Sequence, residues 1–286
     1  ASMRCKRQHW CVSMRMRCGI RRGHMPMPLN ESRLLGNAPL SNAPFAPRFL
    51  ITHLALPAGA ALIISSLLMD GGGDFWVADH LYRLQGSRWA LRDAWLTSNL
   101  LHRGGKNLST FLAIAVAATC IWAWRKKRSN KCSAYLRWPL LYLFCAYLIG
   151  ALTVSALKSF TNMDCPWNLV RYGGARVFVG LFETRPPGMP RGVCFPAGHA
   201  SAGYAWVSLY FFTLMVRPAW RWMALAASLM IGAIFGWTQQ VRGAHFLSHD
   251  LWTLLICWVV ALGLFMVWQR WFVDGSGDVY SSGFQA

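Results

Sequence analysis

Residues 251–268 read Leu-Trp-Thr-Leu-Leu-Ile-Cys-Trp-Val-Val-Ala-Leu-Gly-Leu-Phe-Met-Val-Trp, without a single charge. A helix rises about 1.5 Å per residue and a hydrocarbon core takes about 20 apolar residues to cross, so this stretch is long enough to span a bilayer. Five comparable stretches precede it, at Leu50–Met69, Leu108–Trp124, Trp138–Leu157, Ala200–Val216 and Trp222–Gln239. The chain has 286 residues, of which 55% are hydrophobic and 14% charged. That is too apolar for a soluble domain of this length. The expected fold is therefore all-α, an integral membrane bundle of six helices over residues 49–270. Residues 1–48 are expected to be a basic, disordered tail and residues 271–286 a short second tail. No apolar stretch in the first 28 residues is long enough for a signal peptide.

Lys and Arg set the orientation. Nine precede the first stretch, Arg125-Lys-Lys-Arg128 and Lys131 follow the second, Arg217 and Arg221 separate the fourth from the fifth, and Arg270 follows the sixth. With an even number of spans all of these fall on one side, expected to be the cytoplasm, together with both termini. The formal charge of +19 then reflects orientation. Nucleic acid is not an expected partner, because no recognition motif accompanies the charge. The opposite face, in a bacterial inner membrane the periplasm, receives residues 70–107, 158–199 and 240–250.

Cysteines divide by compartment. Cys5, Cys11, Cys18 and Cys132 fall on the reducing side, and Cys120, Cys145 and Cys257 lie within spans as small apolar groups. Cys165 and Cys194 share one outer loop. A disulfide between them would close about 30 residues and contribute about 3 to 4 kcal/mol; the alternative is two free thiols.

Three fragments on that outer face carry reactive side chains. The first runs from Lys158, at the end of the third span, to Cys165-Pro166; a lone lysine there would be an interfacial anchor. The second, Phe195-Pro-Ala-Gly-His199, opens the fourth span, where unpaired helix N–H groups favour an anion and His199 could protonate a departing oxygen. Taken alone, it is equally a Pro-Gly helix start with an interfacial histidine. The third, Arg242-Gly-Ala-His245-Phe-Leu-Ser-His249-Asp250, spaces Arg242, His245 and His249 three and four apart, on one side of a helix-like path. Ser248 is placed to cap the sixth helix, with Asp250 in its first turn. The His245–His249 spacing also suits a metal, but no third carboxylate ligand is evident, so no metal or other cofactor is expected.

Together the fragments resemble the type 2 phosphatidic acid phosphatase family, related to vanadium haloperoxidases, whose pattern runs Lys-x6-Arg-Pro, Pro-Ser-Gly-His and Ser-Arg-x5-His-x3-Asp. Here these read Lys158-x6-Cys165-Pro166, Pro196-Ala-Gly-His199 and a third fragment centred on His245. The resemblance covers about residues 50 to 270. It implies a lipid phosphatase in which His245 attacks phosphorus and His199 protonates the leaving oxygen. Lys158, Arg242 and the Ala197–Gly198 backbone would hold the phosphate oxygens. Cys165 stands in the first Arg slot, with Arg171 or Arg191 as replacements. Gln239 stands in the second Arg slot. His249 stands in the Asp slot, so either His249 or Asp250 supports His245.

The implied partners are the bilayer and a lipid bearing a phosphomonoester or diphosphate: lipid A, undecaprenyl diphosphate or a phosphatidate-type lipid. A lipid-to-lipid phosphotransferase would use the same site. A non-enzymatic anion-binding transport component is the reading of another class, and it expects ionisable groups at mid-membrane. Apart from His53 and Pro57 the spans carry few of them. The 173–190 loop, with Arg176, Glu183 and Arg185, is either a lid or simply packed. Trp76, Trp89 and Trp95 with Arg83, Arg88 and Arg92 are expected on an amphipathic outer-leaflet helix. Replacing Cys165 with Ser is expected to lower thermal stability by about 3 kcal/mol if the bridge forms, measured by unfolding in detergent without reductant.

Overall fold

A computed structural model describes residues 46–126 and 131–273. The expected tails fall outside them except at 46–48 and 271–273, as do Cys5, Cys11, Cys18 and the end of the Arg125–Arg128 run; nothing is described of the Cys132 side chain.

Helix α1, Pro47–Met69, includes a π-helical turn at Ile51–Ala55. Gly72, at φ +77°, reverses the chain into α2, Gly73–Leu84, since a positive φ costs glycine nothing. Helix α3, Leu96–Arg125, opens with π-helical Leu96–Gly104. Helix α4 is Lys131–Phe160, and α5 occupies 198–216. Helices α6, Arg221–Val241, and α7, Leu247–Val273, complete the set. No strand occurs among the described residues; one isolated bridge joins Leu169 to Arg176.

Among the described residues, five helical stretches are long and apolar enough to cross a membrane: Pro47–Met69, Leu96–Arg125, Tyr135–Phe160, Pro218–Val241 and Leu247–Arg270. The protein is an all-α, multi-pass membrane protein. Each of the five contains an expected span and extends it, since interfacial residues continue the helix beyond the apolar core. The expected span Ala200–Val216 is not among them. A 3-10 turn at Ala205–Val207 divides it into Gly198–Tyr204 and Ser208–Val216. Its side chains explain its place: Ala200, Tyr204, Ala205, Trp206, Val207, Tyr210 and Phe211 are all buried in the main core. Residues 198–216 are thus the axis of the bundle.

Polar groups along this axis are mutually satisfied, as an apolar environment demands. The Trp206 indole donates to Ser109 Oγ (2.9 Å), Ser109 donates to the Ala202 carbonyl (2.6 Å), and Ser228 donates to the Trp206 carbonyl (2.7 Å). Helices α5 and α6 touch through glycines. A Cβ on Gly203 would lie 2.6 Å from Gly232 Cα, and one on Gly232 would overlap the Tyr204 ring.

Gly232→Ala is expected to cost about 1 to 3 kcal/mol, because neither backbone nor ring can yield. Gly59→Ala, which meets nothing within 4 Å, should be neutral or stabilising by up to about 1 kcal/mol through helix propensity. Thermal unfolding of the two variants in one detergent compares them.

Candidate functional site

The close α5–α6 approach brings the start of one helix beside the end of the other. His199, in the first turn of α5, meets His102 of α3 with ring centroids 4.2 Å apart, and Phe235 of α6 at 5.0 Å. The Leu101 backbone lies against the His199 ring as an acceptor, and His199 Nε2 is buried with no hydrogen-bond partner. Lys158, at the end of α4, reaches the same helix start, its Nζ 3.5 Å from where a Gly198 Cβ would stand.

Between α6 and α7 the chain turns through Gly243, at φ +70°, where a side chain would strike Trp89. Arg242 stays in the helical region at the end of α6 and lies back along Gln239. Its Nη1 donates to Gln239 Oε1 (3.2 Å) and its Nε to the Arg92 carbonyl (2.7 Å). Arg242 therefore lies beside Gln239. His245 is buried, with Nδ1 3.4 Å from His249 Nδ1, and the Cys194 carbonyl sits beside both rings. Burial, followed by the neighbouring His249 and Lys158, holds the His245 pKa well below the usual histidine value, so this ring is neutral and its lone pair available.

The structure brings together Lys158, His199, Arg242, His245 and His249. Several expected roles do not survive. Asp250 does not reach His245: its Oδ2 accepts from Gln240 Nε2 at 2.5 Å and its carboxylate packs on Gly236. The group against His245 is His249. The Ala197 N–H is taken by the His249 carbonyl (3.3 Å), leaving the Gly198 amide as the member of that pair still free for an anion. Ser248 does not cap α7 with its own hydroxyl. Asp74 of α2 accepts from the Ser248 N–H (2.9 Å) and from its Oγ, so the cap comes from a distant helix.

The two candidate replacement arginines have partners of their own. Arg171 is paired with Asp79 (2.5 and 2.8 Å) and lies over Phe75, while Arg191 donates to the Ser159 carbonyl (2.5 Å). Cys165 and Cys194 are joined, their Cα atoms 5.3 Å apart, and tie the Lys158 fragment to the His199 fragment. The 173–190 loop is pinned, because Arg176 and Arg185 converge on buried Asp164. Of the expected outer helix, Trp76 and Arg83 lie on α2, whereas Trp89 leaves it and packs against Tyr82 and Tyr172.

Three contributors were missed from sequence: His102, Gln239 as a hydrogen-bonding group, and Asp74. His102 Nδ1 lies 2.7 Å from Gln239 Nε2. One signal was available, the run His102-Arg-Gly-Gly-Lys106, which puts an imidazole and two cations at the same end as the other fragments. Among the described residues no group of three or more His, Cys, Asp or Glu has metal-binding geometry.

The chain is thus a multi-pass helical membrane protein with a lysine, an arginine and several imidazoles gathered at one helix start. Residues 138–273 match the family model of the PAP2 superfamily. Its members are phosphatases acting on phosphate esters. No curated protein and no solved structure matches the chain significantly.

The buried histidine makes stability pH-dependent. His245 is neutral when folded but takes a proton near pH 6.5 when unfolded, so its contribution is complete above about 6.5 and is lost as pH falls below it. Asp74 opposes this: burial raises its pKa, so the folded state gains a proton first as pH falls. His245→Asn should therefore flatten the fall in melting temperature between about pH 6.5 and 5.

Proposed function

We propose that the protein hydrolyses a phosphomonoester or diphosphate on a membrane lipid, without a metal, through a phosphohistidine intermediate. The observation that carries this reading is the convergence of Lys158, Arg242 and His199, whose Nε2 is unpartnered, with neutral His245 on one end of the bundle. His245 attacks phosphorus, forming an N–P bond as the P–O bond to the lipid breaks; burial and the neighbouring His102 lower the His199 pKa to about 3, so its ring is neutral in the free protein, takes a proton as the negative phosphate settles beside it, and gives that proton to the departing oxygen. Water then attacks the phosphohistidine with His199 as base, releasing phosphate and restoring His245. Lys158, Arg242 and the Gly198 amide hold the non-bridging oxygens as charge spreads over them. His249, at 3.4 Å, orients the attacking ring.

The Lys and Arg distribution supports a site on the periplasmic face of a bacterial inner membrane, with both termini in the cytoplasm. Lipid A, undecaprenyl diphosphate and phosphatidate-type lipids are the candidate substrates, all amphiphiles whose phosphate lies at the depth of the helix ends.

The test is phosphate release by detergent-purified protein from these lipids, in excess EDTA. Release is expected to survive the chelator and to fall by at least about a thousandfold in His245→Ala and about a hundredfold in His199→Ala. Loss of release in EDTA with the wild-type protein would overturn the metal-independent scheme.

A further inference from the structure

The proposed mechanism leaves the first half of the chain without a task, yet α3 forms one wall of the site. Its opening, Leu96–Gly104, is π-helical, and two successive residues in it, Leu101 and His102, meet His199. The Leu101 carbonyl faces the His199 ring as a hydrogen-bond acceptor, and the His102 imidazole covers the ring at 4.2 Å and 42°. Wide turns of this kind recur at functional sites because they re-aim side chains that a regular helix would place elsewhere.

Gln239 connects this wall to the phosphate-binding side. Its Oε1 accepts from Arg242 Nη1 at 3.2 Å and its Nε2 lies 2.7 Å from His102 Nδ1. Arginine only donates, so the amide oxygen must face Arg242 and the amide NH2 must face His102. His102 Nδ1 is then an acceptor, which puts the proton of the neutral ring on Nε2. A neutral ring can stack on His199 while His199 carries the proton it must deliver; a charged one would repel it.

We infer that His102 is a positioning residue for His199, held in one tautomer by Gln239, and that Gln239 couples it to Arg242. The inference rests on the phosphatase reading for its kinetic consequence, but the tautomer itself can be read without turnover. Glutamine in the slot where the family pattern has arginine thus gains a purpose. The basic group moves three residues on to Arg242, and the vacated position orders the acid.

Imidazole nitrogen NMR of 15N-histidine-labelled protein in detergent tests the geometry. The wild type should show His102 protonated at Nε2 and His199 at Nδ1, and Gln239→Leu should convert both to tautomer mixtures without change in melting temperature. Kinetics with the lipid that the wild type hydrolyses tests the role. His102→Ala is expected to lower kcat by about tenfold or more with KM within about twofold, and His102→Asn, which keeps an acceptor for Gln239, to recover part of the loss. Unchanged His199 signals in Gln239→Leu and His102→Ala would overturn the inference. So would kcat within twofold of wild type in His102→Ala. A wild-type protein that shows both tautomers but releases no phosphate from any lipid would instead overturn the phosphatase reading and leave the positioning intact.

Discussion

Everything at the site depends on how closely α5 and α6 approach at Gly203 and Gly232. In lipid there is no hydrophobic force between helices, so association rests on backbone contact and on hydrogen bonds that lack competition from water. Removing two side chains at the crossing lets the helices meet at backbone distance. Because α5 begins at Gly198 and α6 ends at Val241, that contact sets His199 opposite Gln239 and Arg242. His199 and Arg242 owe their relative position to two residues with no side-chain chemistry of their own.

The remaining constraints converge from outside the pair. The Cys165–Cys194 bridge ties the Lys158 fragment to the approach to His199, and the two arginines on Asp164 hold the loop between those cysteines. Asp74 fixes the start of α7, and with it His249, by accepting from Ser248. Capping from a separate helix exchanges a local contact for a tertiary one, so the position of His249 depends on α2 being docked. Trp89, seated on Gly243, secures the same turn from the other side.

Much of this was legible in the sequence. Long apolar runs gave five of the crossing helices, because their length is dictated by the bilayer and not by packing detail. The three fragments named Lys158, His199, Arg242 and His245, and the structure brings these side chains to one end of the bundle. Ala200–Val216 is not among the five because the 3-10 turn at Ala205–Val207 divides it, a break that its apolar composition does not encode. Arg171 and Arg191 misled because nothing local distinguishes an arginine aimed at a ligand from one answering Asp79 or a backbone carbonyl. His102, Gln239 and Asp74 were invisible for a related reason. Their partners lie 97 residues away in His199, 137 in His102 and 174 in Ser248, and no local periodicity encodes such pairings.

The pairing of the outer-loop arginines changes how the surface potential is distributed. Arg171 is answered by Asp79, and Arg176 and Arg185 share Asp164, so a loop that looks strongly basic in sequence contributes little net field at its surface. Arg103, Lys106, Lys158 and Arg242, which form no ion pair among the described residues, stand instead near His199 and His102 at the ends of α3, α4 and α6. Fields focus where charge of one sign lines a low-dielectric recess. An anion drifting along the membrane surface would therefore be drawn to the His199 end of the bundle rather than to the loop above it, and added salt would weaken that draw at long range far more than within the recess.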